Sequence, residues 1–530
     1  MGLTTELPAT PDGVRAEPPA RPAAAGADGA LAGVVAAGSA LAAGELVCGI
    51  AGSGPSLVTA VGTQFIDRFA ASLKDLAVAL FGTNDKVALV VGIVVVALLS
   101  GAALGRAAVR RTWIAVAGFV AFGLVGLLSY LDDPQGEATT GVVAVVVSVA
   151  VGIGVLVGLL RLLRLGQRMT APTAGPIATR RHFLLAAGSL AAMAAGAAVL
   201  GRRFARSDVV DAVRETTDLP APTDPSPVSV RPVADVPGLS PYITPTDDFF
   251  RIDTALVVPQ VDVADWRLRV DGMVDRPFEL TYDELVAMAD AAETVTLQCV
   301  SNEVGGNLVG TATWQGVPLA ALLERAGVQP GGTQVVGRSV DGFTAGFPTS
   351  VGLDGRAALV AVAMNGEPLP ARHGFPARLV VAGLYGYVSA TKWLDAIELV
   401  PWEDVHGYWI TRGWAKEGPV KLMSRIDVPR SGATLTAGTQ PIAGVAWQPT
   451  VGIARVEVQV DDGPWTPARL GDAVSDDTWV QWYLPWEATP GEHRIRVRAV
   501  SRTGEVQTEE RASPAPDGAT GWHTRSVRVR

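Results

Sequence analysis

Five apolar stretches, at about 31–51, 86–105, 113–131, 139–160 and 183–201, crowd the first part of this chain, each near the ~20 residues a helix needs to cross a bilayer. Nothing comparable follows them to residue 530. A helix satisfies its own backbone polar groups, so these runs are expected as an all-α transmembrane bundle. Residues 56–81 fit less well. Gln64, Asp67, Arg68, Lys74 and Asp75 interrupt them, so an amphipathic or re-entrant segment is expected there.

Charge sets the orientation, because basic loops stay on the cytoplasmic side. Arg106, Arg110 and Arg111 separate the second and third runs. Arg161, Arg164, Arg168, Arg180 and Arg181 separate the fourth and fifth, whereas Asp132, Asp133 and Glu137 separate the third and fourth. Five spans then put residues 1–30, expected as a disordered tail, in the cytoplasm and everything after 201 outside a bacterial cell membrane. The last run, "TRRHFLLAAGSLAAMAAGAAVLG", resembles a twin-arginine export signal placed internally. That route carries folded, cofactor-loaded proteins. The same two arginines would also serve as an ordinary positive flank. Arg202, Arg203 and Arg206 after it run against the charge rule.

The bundle offers little chemistry of its own. The histidines are His182, His373, His406, His493 and His523, none inside a span, so no haem is expected between the helices. Glu45 is the one acidic residue within a run, and transport sites usually need paired charges. Gly154 and Gly158 give a small-xxx-small spacing that suits helix packing. A formal net charge of -9, with no basic stripe, argues against a nucleic-acid partner. Only two cysteines occur, Cys48 in an apolar run and Cys299 far away, which excludes a disulfide framework.

Residues 202–241 form the next unit, proline-rich from about 214 ("RETTDLPAPTDPSPVSVRPVADVPGLSP"), a composition that favours an extended spacer. Residues 242–424 mix short strands, glycine turns and short helices. "WRLRVDGMV", "ETVTLQCV", "ALVAVAMNGEPLP" and "ARLVVAG" read as strands. "TYDELVAM" carries a threonine cap and an acidic first turn, and "VPLAALLERAGV" is a helix that stops at glycine. The pattern is α+β. Residues 425–530 alternate as strands ("IARVEVQVDDGPWTPARL", "HRIRVRAVS", "WHTRSVRVR"), and an immunoglobulin-like β-sandwich is the simplest architecture.

Cys299 ends a β-branched strand and is followed at once by Ser-Asn-Glu and a glycine pair. A buried structural thiol fits the strand; a ligand fits the turn. The residues alone leave both readings open.

In order along the chain stand "DDFFRIDTALVVP", "LRVDGMV", "LQCVSN", "WQGVPLAALLERAGV", "AMNGEPLPARHGFPARLVV", "KWLDAIEL" and "VEVQVDDGPW". This series resembles the sulfite oxidase family of molybdenum-cofactor enzymes over about residues 242–530. The resemblance implies a molybdopterin-binding domain followed by a sandwich often used for homodimerisation. It implies that Cys299 binds molybdenum, since a soft thiolate holds the metal and stays deprotonated there. It further implies that Arg251, Asn302, His373, Arg378, Ser389, Thr391 and Lys392 hold the pterin and its phosphate. Cys299 and Arg251, with Arg412 and Trp414, would form the catalytic pocket, and Trp409 its wall.

Three departures bear on substrate. Glu303 and Val304 stand where sulfite-oxidising members carry two arginines. Trp414 stands where they carry a tyrosine. "FFRID" places Asp253 where they have a histidine. Sulfite is therefore a doubtful substrate, and sulfoxide reduction stays open. The sequence reading is a membrane-anchored, extracytoplasmic oxidoreductase carrying molybdenum–molybdopterin, with a small-molecule substrate and a separate electron-transfer partner. Its rival is a non-catalytic membrane-anchored scaffold.

Overall fold

The computed structural model describes residues 22–52, 54–68, 85–168, 177–205, 209–223 and 230–530. The expected tail over 1–21, residues 69–84 of the interrupted segment, 224–229 of the spacer and the side chain of Arg180 lie outside them.

The described residues of the apolar part form the helices α1 (Pro22–Ala51), α2 (57–68), α3 (Asp85–Arg110), α4 (Thr112–Asp132), α5 (Ala138–Arg168) and α6 (Ile177–Ala205), followed by the short α7 (Val209–Thr216). Of these, α1, α3, α4, α5 and α6 are long and apolar enough to cross a membrane. The first helix starts at Pro22, ahead of the apolar run at 31. Proline is tolerated at a first helical position, and the alanines after it are the best helix formers. Expected disorder thus gives way to helix over 22–30.

Glycine lets α1 meet its neighbours at backbone distance. A Cβ on Gly33 would lie 1.9 Å from the carbonyl oxygen of Gly101 on α3, and one on Gly49 would lie 2.2 Å from that of Gly201 on α6. Outward-facing Val95, Val96, Leu99, Leu128 and Val146 are exposed, as lipid-facing residues would be.

The mixed α+β region follows. One five-stranded sheet has the order Phe278–Leu280, Leu268–Gly272, Leu394–Val400, Gln334–Ser339, Thr344–Pro348. A second runs Ala291–Gln298, Val309–Pro318, Ala358–Met364, Glu367–Pro368, with Arg378–Val381 also paired to Ala358–Met364. Local chemistry explains the connections. Thr281 and Glu284 form a reciprocal capping box on helix Tyr282–Ala287, and Leu319–Ala326 ends on left-handed Gly327. Asn365 and Gly366 both have positive φ, which is what a two-residue hairpin turn requires. The core is apolar and includes Trp314, Phe347, Phe375 and Tyr385.

Two further sheets close the chain. One pairs Met423–Val428, Gly438–Trp447, Val480–Ala488 and Arg469–Leu470. The other pairs Thr434–Leu435, His523–Val529, Gly491–Ser501, Ile453–Val460 and Thr466–Pro467. Ile426, Ile442, Trp482, Ile495 and Val497 fill the space between them.

Candidate functional site

The strand Ala291–Gln298 delivers Cys299 into a tight turn. The Cys299 N–H donates to Leu308 O at 2.9 Å, and the Asn302 N–H donates to Cys299 O at 3.0 Å. The Asn302 side chain closes the turn by accepting from the Leu308 N–H at 2.9 Å. Its Nδ2 is buried with no partner among the described residues. Such an orphan donor is costly unless a ligand meets it. Cys299 is 9% exposed and forms no disulfide.

The C-terminal sheets brace this strand. Trp447 Nε1 donates to Gln298 Oε1 at 2.7 Å, and the Trp479 N–H donates to Thr296 Oγ1 at 2.7 Å. Gly305, at φ +80°, lies under the His523 ring, which a Cβ would meet at 2.3 Å. No side chain could replace that hydrogen without moving the turn or the ring.

Four segments bring cations to the same region. Asn365 Nδ2 donates to Thr244 O and Thr246 Oγ1, both at 3.1 Å, fixing the strap that leads to Phe249 and Arg251. Phe249 meets the His373 ring edge-on at 5.9 Å, and His373 Nε2 lies 3.0 Å from Thr246 O. Arg378 donates to His373 O at 3.1 Å and stacks 4.8 Å over Trp314. Ser389 donates to Tyr385 O at 3.1 Å, and Thr391 faces Gly337 O at 3.5 Å. Lys392 follows directly, placed by Trp393. The φ of Trp393 is 49°, in the left-handed region where a bulky residue is strained. The indole is held there by Trp393 Nε1 donating to Ala371 O at 2.7 Å.

One carboxylate gathers the cations. Asp253 accepts from Lys392 Nζ at 2.7 Å, from Arg251 Nε at 2.8 Å and from Lys86 Nζ of α3 at 2.8 Å. Side-chain exposure is 3% for Asp253, 10% for Lys392 and 37% for Arg251. Burial alone would raise the Asp253 carboxyl, but Lys392, Arg251 and Lys86 together hold it well below the usual carboxylate range. Burial lowers Lys392 to about 8 against the opposing pull of Asp253. Burial, then the Arg378 charge, lowers His373 to about 4, leaving it neutral near pH 7. Arg378 is buried, and burial also lowers its pKa. Among the described residues no carboxylate pairs with it.

The structure thus brings together Arg251, His373, Arg378, Ser389, Thr391 and Lys392, with Cys299 and Asn302 on the adjoining turn. Tyr385, fully buried, lies near enough to Cys299 for a thiolate to add to the rise that burial imposes on the phenol, to about 12. Arg412 is placed differently: it stacks 3.5 Å over Tyr408 and reaches Asp67 of α2 at 3.3 Å. Trp414 packs against Trp409 at 6.3 Å and Tyr387 at 5.9 Å. Glu303 is exposed. A cavity of ≈ 420 Å³ beside the turn is lined by Gly305, Arg425, Arg430 and Arg525. Sequence reasoning missed three participants: Asp253 as a countercharge, Lys86 and His523. Only Asp253 carried a signal, as the odd residue of "FFRID".

These residues suit a phosphorylated pterin. A buried guanidinium without a carboxylate needs an anion, and the Asn302 amide and the neighbouring hydroxyls suit a polar heterocycle. Among the described residues no group of three His, Cys, Asp or Glu could hold a metal alone, so a metal here would depend on Cys299 and on ligands from the cofactor.

Residues 255–409 match the oxidoreductase molybdopterin binding domain family. Sulfite oxidase of Gallus gallus is 30% identical over 53% of this chain and 72% of its own length. The chain belongs to the sulfite oxidase family of molybdopterin oxidoreductases. The uncharacterized oxidoreductase YuiH of Bacillus subtilis is 33% identical over 33% of this chain and 84% of its own length. Mitochondrial sulfite oxidase of Macaca fascicularis is 30% identical over 48% of this chain and 55% of its own length. The chain therefore spans about half the length of that mitochondrial relative.

Proposed function

We propose that this protein is a membrane-anchored, extracytoplasmic oxidoreductase that transfers an oxygen atom, with two electrons, to or from a small substrate. The observation that carries the reading is the buried guanidinium of Arg378, close to Lys392 and His373 and paired with no carboxylate among the described residues. Cys299 would hold molybdenum through Sγ. Arg378 and Lys392 would neutralise the pterin phosphate, and the Asn302 amide, Ser389 and Thr391 would hydrogen-bond the pterin. When bound, the molybdenum centre supplies the oxygen-atom transfer chemistry.

The chain's own residues prepare the site. Asp253 holds Lys392 and Arg251 in place. The apolar core around Trp314 and Phe249 excludes water. Neutral His373 keeps its Nε2–H on Thr246 O, fixing the strap. Exposed Glu303 repels anions, which disfavours sulfite and leaves sulfoxides and other neutral acceptors as the first substrates to screen. Arg412, tied to α2, would position the wall formed by Trp409 and Trp414 rather than touch substrate.

The apolar outer face of the bundle and its basic inter-helix segments support anchoring with the catalytic part outside. Residues 425–530 would form the immunoglobulin-like unit and offer a surface for homodimerisation. The test is molybdenum per chain in protein from its native membranes, with turnover on a sulfoxide panel. A ratio near one, falling below about a tenth in Cys299→Ser with turnover lost, is expected. No molybdenum in folded wild-type protein would leave the scaffold reading.

A further inference from the structure

A cleft of ≈ 1390 Å³ lies where the helices meet the catalytic domain. The glycine contacts close α1 on α3 near Gly33 and Gly101, and the two helices part toward the domain. Gly38 and Leu41 of α1, Val91 and Val94 of α3 and Ala194 of α6 line the apolar depth. From Lys86 to Leu98, both lining residues, α3 rises ~18 Å, over half of a ~30 Å hydrocarbon core. The mouth is polar, with Thr63 and Gln64 from α2 and Tyr408 from the domain.

We propose that this cleft binds a lipid-soluble quinone, the two-electron carrier of a membrane, and exchanges electrons between it and the cysteine site. The proposal rests on the oxidoreductase reading above, which requires a two-electron partner. The depth suits a prenyl tail, and the mouth suits a compact head with two carbonyl acceptors. A phospholipid fits less well, because the cations that line the mouth among the described residues, Lys86 and Arg412, already face carboxylates: Lys86 meets Asp253 at 2.8 Å and Arg412 meets Asp67 at 3.3 Å. Neutral donors remain.

The cleft also touches the cofactor-binding cluster. Lys86 lines the mouth and shares Asp253 with Lys392, so a single carboxylate joins the two sites. Asp133 and Asp341 line the same mouth, and burial raises both carboxyls toward protonation, which suits groups that exchange protons with a quinol. In the oxidising direction the substrate gains the oxygen of water and releases two electrons and two protons. The quinone takes all four and leaves as quinol. Reduction of an oxidised substrate is the reverse, with water released.

Full-length protein in nanodiscs tests this with radiolabelled decylubiquinone. Saturable binding near one per chain, above that of empty nanodiscs, is expected. Val91→Trp and Ala194→Leu, which fill the depth, should each weaken it at least roughly tenfold while eluting as monodisperse protein. Organic extraction of the native protein should release a quinone, and this second measurement decides if either variant fails to fold. Uptake equal to that of empty nanodiscs, affinity unchanged in both variants, or extraction of phospholipid alone overturns the proposal. Cys299→Ala should keep quinone binding while losing molybdenum. Quinone binding by a wild type that holds no molybdenum would sink the oxidoreductase reading and spare the cleft.

Discussion

The helical bundle and the cysteine-bearing domain bury polarity in opposite ways. In the bundle, buried polar side chains within the described long apolar helices carry hydroxyls, at Ser39, Ser129, Tyr130 and Thr140, and contact is made by glycine against backbone. The domain instead buries His373, Arg378, Lys392 and, beside the turn, Arg425. Lipid gives helices no hydrophobic incentive to associate, so close packing does that work. Buried cations stabilise little by themselves. Their presence marks the half that must hold an anion.

Breaking each side of this contrast should have different consequences. Gly33→Leu would drive a side chain into the Gly101 backbone. The largest effect is expected here, loss of most monodisperse protein from detergent extracts, since overpacking costs about 1–3 kcal/mol even where side chains can adjust. Normal yield would show that glycine contact is not what holds α1 to α3. Asp253→Asn should come next. Stranding Lys392 and its fellow cations should cost on the order of 3 kcal/mol in denaturant unfolding followed by tryptophan emission. A change within error would mean the cations are relieved some other way.

Acid should act on the domain through its buried histidines. His523 Nδ1 accepts the Ile426 N–H at 2.9 Å, and burial, then the nearby arginines, lowers its pKa to about 3. Below about 6.5 the unfolded chain takes up a proton that the folded ring refuses. Stability is therefore full above that pH and is lost progressively as pH falls toward 3, with His373 adding to the loss down to about 4. Thermal unfolding at pH 7.5 and pH 5 measures this, and His523→Gln should shrink the difference. The smallest effect is expected from Arg412→Ala. Its pair with half-exposed Asp67 should be worth less than about 1 kcal/mol, and a larger loss would make the α2 contact a principal brace.

Much of this is legible in the residue order. The apolar runs form helices, and the alternating segments form strands, because periodicity and burial are local properties. The turn after Cys299 is legible for the same reason. The charge network is not. Lys392 and Asp253 are far apart in sequence, and Asp253 reads only as a departure from the family pattern. Arg412 reads as a pocket residue until its partner on α2 is known. The stretch 22–30 reads as disordered because its composition is weakly apolar. Alanine propensity and the approach of Gly29 to Gly105 on α3 make it helical instead. Long-range pairing, unlike periodicity, leaves no mark in a single sequence.

The central proposal is that Cys299 is a molybdenum ligand. X-ray absorption at the molybdenum edge tests it most directly, on holoprotein isolated from native membranes. Two sulfurs would come from the pterin dithiolene and one from Cys299, so the account predicts three sulfur neighbours in the wild type and two in any metal retained by Cys299→Ser. A wild-type centre with only two, or a count unchanged by the substitution, would contradict it.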